Sequence, residues 1–129
     1  MKNSLLIDTH IFLWLVLKIR LSPTTIGKIN DVGNLYMSSI SFLEIMIKQN
    51  NGKLPQFDIV ELVNDMRITV LPYTENHAIH HRNYSPTNKD PFDNVIVTVA
   101  ITEKLTLMTA DKNILGLDIP ELNTINARK

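Results

Sequence analysis

The chain contains no cysteine, and its 13 Lys and Arg are balanced by 13 Asp and Glu. The first absence excludes disulfides, thiolate metal sites, iron–sulfur clusters and a cysteine nucleophile, and it accords with a reducing compartment. The second means that no overall charge advertises a nucleic acid or a membrane as partner. Long apolar runs are missing too. The best, Ile11 to Leu17, is closed by Lys18 and Arg20, well short of the ~18–20 residues that span a bilayer. Asp8 and His10 interrupt the stretch where the apolar part of a signal peptide would lie. A cytoplasmic protein without a membrane partner is the expectation. No repeat, low-complexity tract or linker divides the 129 residues, so one domain over 1–129 is expected.

Short apolar runs alternate with longer helical patterns. Leu5-Leu6-Ile7, Leu35-Tyr36-Met37, Ile68-Thr69-Val70-Leu71 and Leu105-Thr106-Leu107-Met108 are continuous rather than alternating, as in strands covered on both faces of a parallel sheet. Asn123-Thr124-Ile125 is a weaker fifth candidate. Helical patterns run from Ile40 to Gln49 and from Phe92 to Glu103, Ser22-Pro23 opens a helix towards Asn30, and Asp58 can cap Ile59 to Arg67. The alternation predicts an α/β domain, a three-layer α/β/α sandwich around a central, mainly parallel sheet of four to five strands.

Ligands of such sheets bind beyond the carboxyl ends of the strands, and several acids fall there. Asp8 follows the first strand and Asp111 the fourth. Glu44 lies about a turn and a half into the helix after the second strand, and Asp93, with Asp90 before it, opens the helix that precedes the fourth. Each has a plain alternative. Asp8, Asp90 and Asp111 can be helix caps, Glu44 can pair with Lys48 one turn on, and Asp93 can answer a helix dipole. It is their conjunction that points to chemistry. Two carboxylates ~4 Å apart at an effective dielectric of ~20 repel by about 4 kcal/mol, so a converging set must bind protons or a cation. Oxygen donors without thiolates favour Mg²⁺ or Mn²⁺ over Zn²⁺, and such sites commonly process phosphate esters.

Four ordered blocks, Leu6-Ile7-Asp8-Thr9-His10, Ser38-Ser39-Ile40-Ser41-Phe42-Leu43-Glu44-Ile45, Asp90-Pro91-Phe92-Asp93 and Thr109-Ala110-Asp111, resemble the PIN domain, and more closely its VapC-type toxin branch. The resemblance covers Leu5 to about Ile125. It implies a small Mg²⁺- or Mn²⁺-dependent ribonuclease, toxin of a toxin–antitoxin pair, silenced by a cognate antitoxin whose tail enters the acidic groove. Asp8, Glu44, Asp93 and Asp111 match the family's metal-binding acids, Asp90 an additional acid, and Thr9 and Thr109 hydroxyls that support them. A homodimer is expected by the same resemblance. Asn88 and Asn94 stand where relatives commonly carry His and Arg, and Leu43 where they carry Trp, departures that bear on RNA recognition rather than on the acids.

RNA binding needs positive charge near the acids, which makes Lys112, Lys48 and Lys89 the candidate substrate contacts, whereas Lys53 reads as ordinarily solvated. His10 reads as a packing or hydrogen-bonding residue of the helix after Asp8. His77 and His81, one turn apart, read as surface residues rather than a metal pair. Trp14 reads as core or dimer surface. Other readings of the chain are a non-catalytic RNA- or protein-binding module, or another metal-dependent phosphodiesterase or DNA nuclease.

Overall fold

The computed structural model describes residues 4–83 and 91–128. The elements, in chain order, are β1 (Ser4–Ile7), α1 (Thr9–Leu17), α2 (Pro23–Asp31), β2 (Asn34–Ser38), α3 (Ser39–Asn50), α4 (Ile59–Asp65), β3 (Ile68–Leu71), α5 (Glu75–His81), α6 (Pro91–Thr102), β4 (Thr106–Thr109), α7 (Lys112–Leu115) and β5 (Thr124–Asn126). The strands form one parallel sheet in the order β3-β2-β1-β4-β5. This is the α/β architecture that the alternation predicts, with the weak fifth run forming an edge strand. Among the described residues no helix is long and apolar enough to cross a membrane.

The pleat divides the core in two. Leu5 and Ile7 of β1, with Met37 and Met108, face a cluster containing Ile11, Phe12 and Trp14 of α1, Ile29 of α2, Ile45 of α3 and Ile59 and Val63 of α4. Leu6 and Leu107 face the opposite cluster, built on Ile96, Val97, Val99 and Ala100 of α6 and Ile114 of α7. Successive strand residues point to opposite faces, so a strand without polar alternation requires cover on both sides. Leu6, Ile7, Phe12 and Met37 are among the core side chains that are fully buried. Burying a side chain of this size stabilises the fold by roughly 1.5–3 kcal/mol each.

Strand order reverses between β1 and β4. From β1 the chain builds outward through β2 and β3, then crosses back to lay β4 on the other side of β1. The connections leaving β1 and β4 therefore diverge and open a crevice at the carboxyl edge, the position where open α/β sheets bind ligands. Helix α6 leads into β4 and so begins at this same edge. Helix α3 starts there as well, immediately after β2.

Candidate active site

Asp8 and Asp111 occupy the two walls of that crevice. The β1–β4 ladder continues to Asp8, whose N–H donates to the Met108 carbonyl at 3.3 Å. The side chain then turns to cap α1: Oδ1 accepts from the Ile11 N–H at 2.9 Å, and Oδ2 accepts from the Thr109 hydroxyl. Thr109 also accepts from the Asp111 N–H at 3.1 Å, and Asp111 caps α7 through the Asn113 N–H at 2.8 Å. One buried hydroxyl thus ties the two acids together. The capping alternative and the pocket position are both realised in the same residues.

Asp8 is buried to 4% exposure. Burial holds its carboxyl above the ordinary carboxylate range, and the nearby Asp111 charge pushes the same way. The Thr109 and Ile11 hydrogen bonds and the His10 charge oppose them without overcoming desolvation. Among the described residues no basic side chain forms an ion pair with Asp8. A buried carboxylate is ordinarily neutralised by a partner, a proton or a metal.

Glu44 and Asp93 come to the site from helices α3 and α6. Glu44 is buried in α3, where its Oε2 lies 3.1 Å from the Lys48 Nζ. The Lys48 ammonium, still partly exposed, is thereby paired with an acid. Asp93 sits in the first turn of α6, at the carboxyl edge of the sheet. Among the described residues, no three or more His, Asp or Glu side chains are gathered closely enough to hold a metal. The structure brings Asp8 and Asp111 together at Thr109 and along one pocket. Asp90, Lys89 and Asn88 lie outside the described residues. The Thr9 hydroxyl donates to Ser41 at 2.8 Å and ties α1 to α3 rather than supporting a carboxylate.

A pocket of about 350 Å³ opens above the two acids, lined by His10, Trp14, Arg20, Lys112 and Arg128 besides Asp8, Ala110 and Asp111. His10 is exposed at its rim, not packed within α1 as expected. Arg20 and Arg128 escape sequence reading altogether, because only the fold brings residues from opposite ends of the chain to one ring, that of Trp14. The expectation for His77 is also corrected. It is buried at 2% exposure, accepts from the Thr74 N–H through Nδ1 at 3.0 Å, and reaches Glu103 through Nε2 at 2.8 Å. The Glu103 partner, at the end of α6, makes the burial tolerable.

Residues 5–119 match the PIN domain family. The chain belongs to the PIN domain family. This PIN domain also shares its fold with solved structures of toxin–antitoxin complexes. VapBC-1 of nontypeable Haemophilus influenzae superposes with a TM-score of 0.72 at 20% identity, covering 98% of this chain and 99% of that one. VapBC2 of Rickettsia felis, bound to a DNA fragment from its promoter, gives 0.69 at 17% identity, covering 95% and 98%. VapBC-5 of Mycobacterium tuberculosis gives 0.66 at 15% identity, covering 96% and 98%. No curated protein matches this PIN domain in sequence.

The donor chemistry of the pocket suits a hard divalent cation. Mg²⁺ is commonly held by one or two carboxylates, with waters and substrate phosphate completing its shell. Asp8 and Asp111 supply two such carboxylates, one of them carrying a desolvation penalty that a cation relieves.

Proposed function

We propose that this PIN domain is a divalent-metal-dependent endoribonuclease, the toxin of a toxin–antitoxin pair, with Mg²⁺ or Mn²⁺ as its cofactor. The observation that carries the reading is the buried Asp8 beside Asp111 at the reversal point of the sheet, under a rim of cations. Asp8 and Asp111 would hold the ion, and Glu44 and Asp93, which begin at the same edge, are the further acids assigned to it. When bound, such an ion neutralises charge on the phosphate and activates water for attack. The chain's own residues do the rest. Thr109 and the Ile11 N–H fix the Asp8 carboxylate in one orientation before substrate arrives, which avoids reorganisation during reaction. Lys112, exposed beside Asp111, is placed to meet a phosphate oxygen. His10 lines the rim of the same pocket.

The antitoxin is inferred from the structural relatives, which are complexes of a toxin with its antitoxin. A homodimer is supported by Leu43, Met46 and Ile47, which expose 50%, 37% and 41% of their surface along α3. The decisive experiment incubates the protein with total cellular RNA, single-stranded DNA and a small phosphate ester, with Mg²⁺ or EDTA. Discrete RNA cuts that vanish with EDTA and in Asp8→Asn and Asp93→Asn support the reading. Cuts that survive in both variants overturn the mechanism. Preferential turnover of DNA or the ester assigns another phosphodiesterase.

A further inference from the structure

Trp14 is the chain's one tryptophan. Two guanidinium groups lie over its ring, Arg20 at 5.7 Å and Arg128 at 5.6 Å from the centroid, and all three residues line the pocket that holds Asp8 and Asp111. Trp14 is buried, with 8% of its surface exposed. It therefore offers no open face on which a base could stack, and acts instead as the surface on which two cations rest.

Each cation is brought there by a specific piece of backbone. After α1, Lys18 (φ 57°) and Arg20 (φ 62°) both adopt the left-handed conformation, which is disfavoured for a residue with a Cβ. The Lys18 and Ile19 N–H groups both donate to the Trp14 carbonyl, so the turn closes on the residue whose ring Arg20 covers. Arg128 is fixed from the other end of the chain. Its Nε donates to the Ala110 carbonyl at 3.2 Å, between Thr109 and Asp111. The preceding Ala127 is pinned by its N–H to the Thr109 carbonyl at 2.9 Å and by its own carbonyl to the buried Thr25 hydroxyl at 2.8 Å. Among the described residues neither guanidinium forms an ion pair with a carboxylate. Both like charges line one pocket with no carboxylate of the described residues paired to either, and an anion bound in that pocket would be attracted by both. Guanidinium forks match phosphate geometry.

We propose that Arg20 and Arg128 form a clamp for the backbone phosphate of the RNA strand, flanking the bond presented to Asp8 and Asp111, with Trp14 as the positioning residue beneath them. The proposal deepens the nuclease reading and rests on it for the identity of the strand. Because the clamp grips backbone and not base, its contribution is independent of sequence.

The single tryptophan makes the clamp observable without catalysis. Trp14 emission is followed in EDTA while a short oligouridylate is titrated in at several salt concentrations. Binding is expected to change the emission. Arg20→Ala and Arg128→Ala are each expected to weaken binding about tenfold and to lower the salt slope by about 0.7 for each phosphate no longer neutralised. Arg20→Lys and Arg128→Lys, which keep charge and packing, retain the slope and recover part of the affinity. Lys53→Ala is unchanged. With labelled RNA, Trp14→Leu loses affinity while Trp14→Phe keeps most of it. Thermal melts verify that each variant is folded, and the Lys variants carry the test if an Ala variant is not. Unaltered affinity and slope in both arginine variants overturn the clamp, as does RNA that binds without perturbing Trp14 or does not bind. An acidic peptide that binds with the same arginine dependence where RNA does not overturns it in favour of a protein partner. Arginine-dependent binding with no cleavage under any divalent metal leaves the clamp standing and overturns the nuclease reading. Metal-dependent cleavage with unchanged KM in the arginine variants does the reverse.

Discussion

Thr109 illustrates how much of the site depends on one hydroxyl. It donates to the Asp8 carboxylate and accepts from the Asp111 N–H, and its hydrogen bond opposes the upward push that burial exerts on Asp8. Thr109→Val keeps the shape and removes the donor. The folded-state carboxyl then titrates still higher, so the ionised form is penalised more. A group whose folded pKa is raised binds more protons in the folded state between its two values, so stability falls as pH climbs from the ordinary 3.8 through the raised value. Thr109→Val is therefore expected to lose roughly 1.5–3 kcal/mol at neutral pH and clearly less near pH 4. Urea unfolding at the two pH values checks this, and equal losses at both would show that the hydroxyl does not act through the Asp8 charge. Asp8→Asn should have the opposite sign in metal-free protein. Asn remains a good helix cap, its amide can donate to Thr109, and the desolvated charge is gone. A higher Tm than wild type in EDTA at neutral pH, narrowing towards pH 4, is the expected result.

At the scale of elements, the site is a consequence of where helices and strands end. Asp8 and Asp111 are legible in the sequence because each lies within three residues of the end of a continuous apolar run, and such runs mark buried strands within a residue or so of their true ends. Glu44 within an apolar helical pattern is legible too, as is its pairing with Lys48 one turn away. What sequence spacing does not show is contact between distant elements. His77 reads as a surface residue because its partner Glu103 directly follows the distant α6, and the Thr9 hydroxyl reads as a support for the acids because Ser41 belongs to α3. The Arg20–Trp14–Arg128 arrangement is invisible for the same reason. Its anchor at the end of β5 is testable. Thr25→Val removes the donor to the Ala127 carbonyl and should cost about 1–3 kcal/mol in chemical denaturation. A loss within about 0.5 kcal/mol, the range of an ordinary surface substitution, would mean that α2 does not hold the end of β5.

On the scale of the whole molecule, zero net charge conceals a local separation. Two acids lie at the floor of the crevice and four basic residues ring it. On the proposed nuclease reading this arrangement would attract a phosphate strand, and association should weaken steeply with salt. The apolar surface of α3 is a separate feature. Light scattering is expected to give twice the 14.7 kDa chain mass, and Leu43→Asp should return it to the monomer value. A chain that scatters as 14.7 kDa at every concentration contradicts the dimer and leaves the pocket chemistry untouched.

The central claim is that Asp8 and Asp111 exist to hold a divalent cation. Calorimetric titration of Mn²⁺ into wild type, Asp8→Asn and Asp111→Asn tests it most directly, with melting curves on the same samples. Wild type should bind the ion and gain stability with its concentration, about 2.7 kcal/mol at a hundredfold excess over Kd, while both variants lose the binding heat and the stabilisation. Equal Mn²⁺ affinity in all three proteins would contradict the account, because the two acids that the fold brings together would then not be the ones that hold the metal.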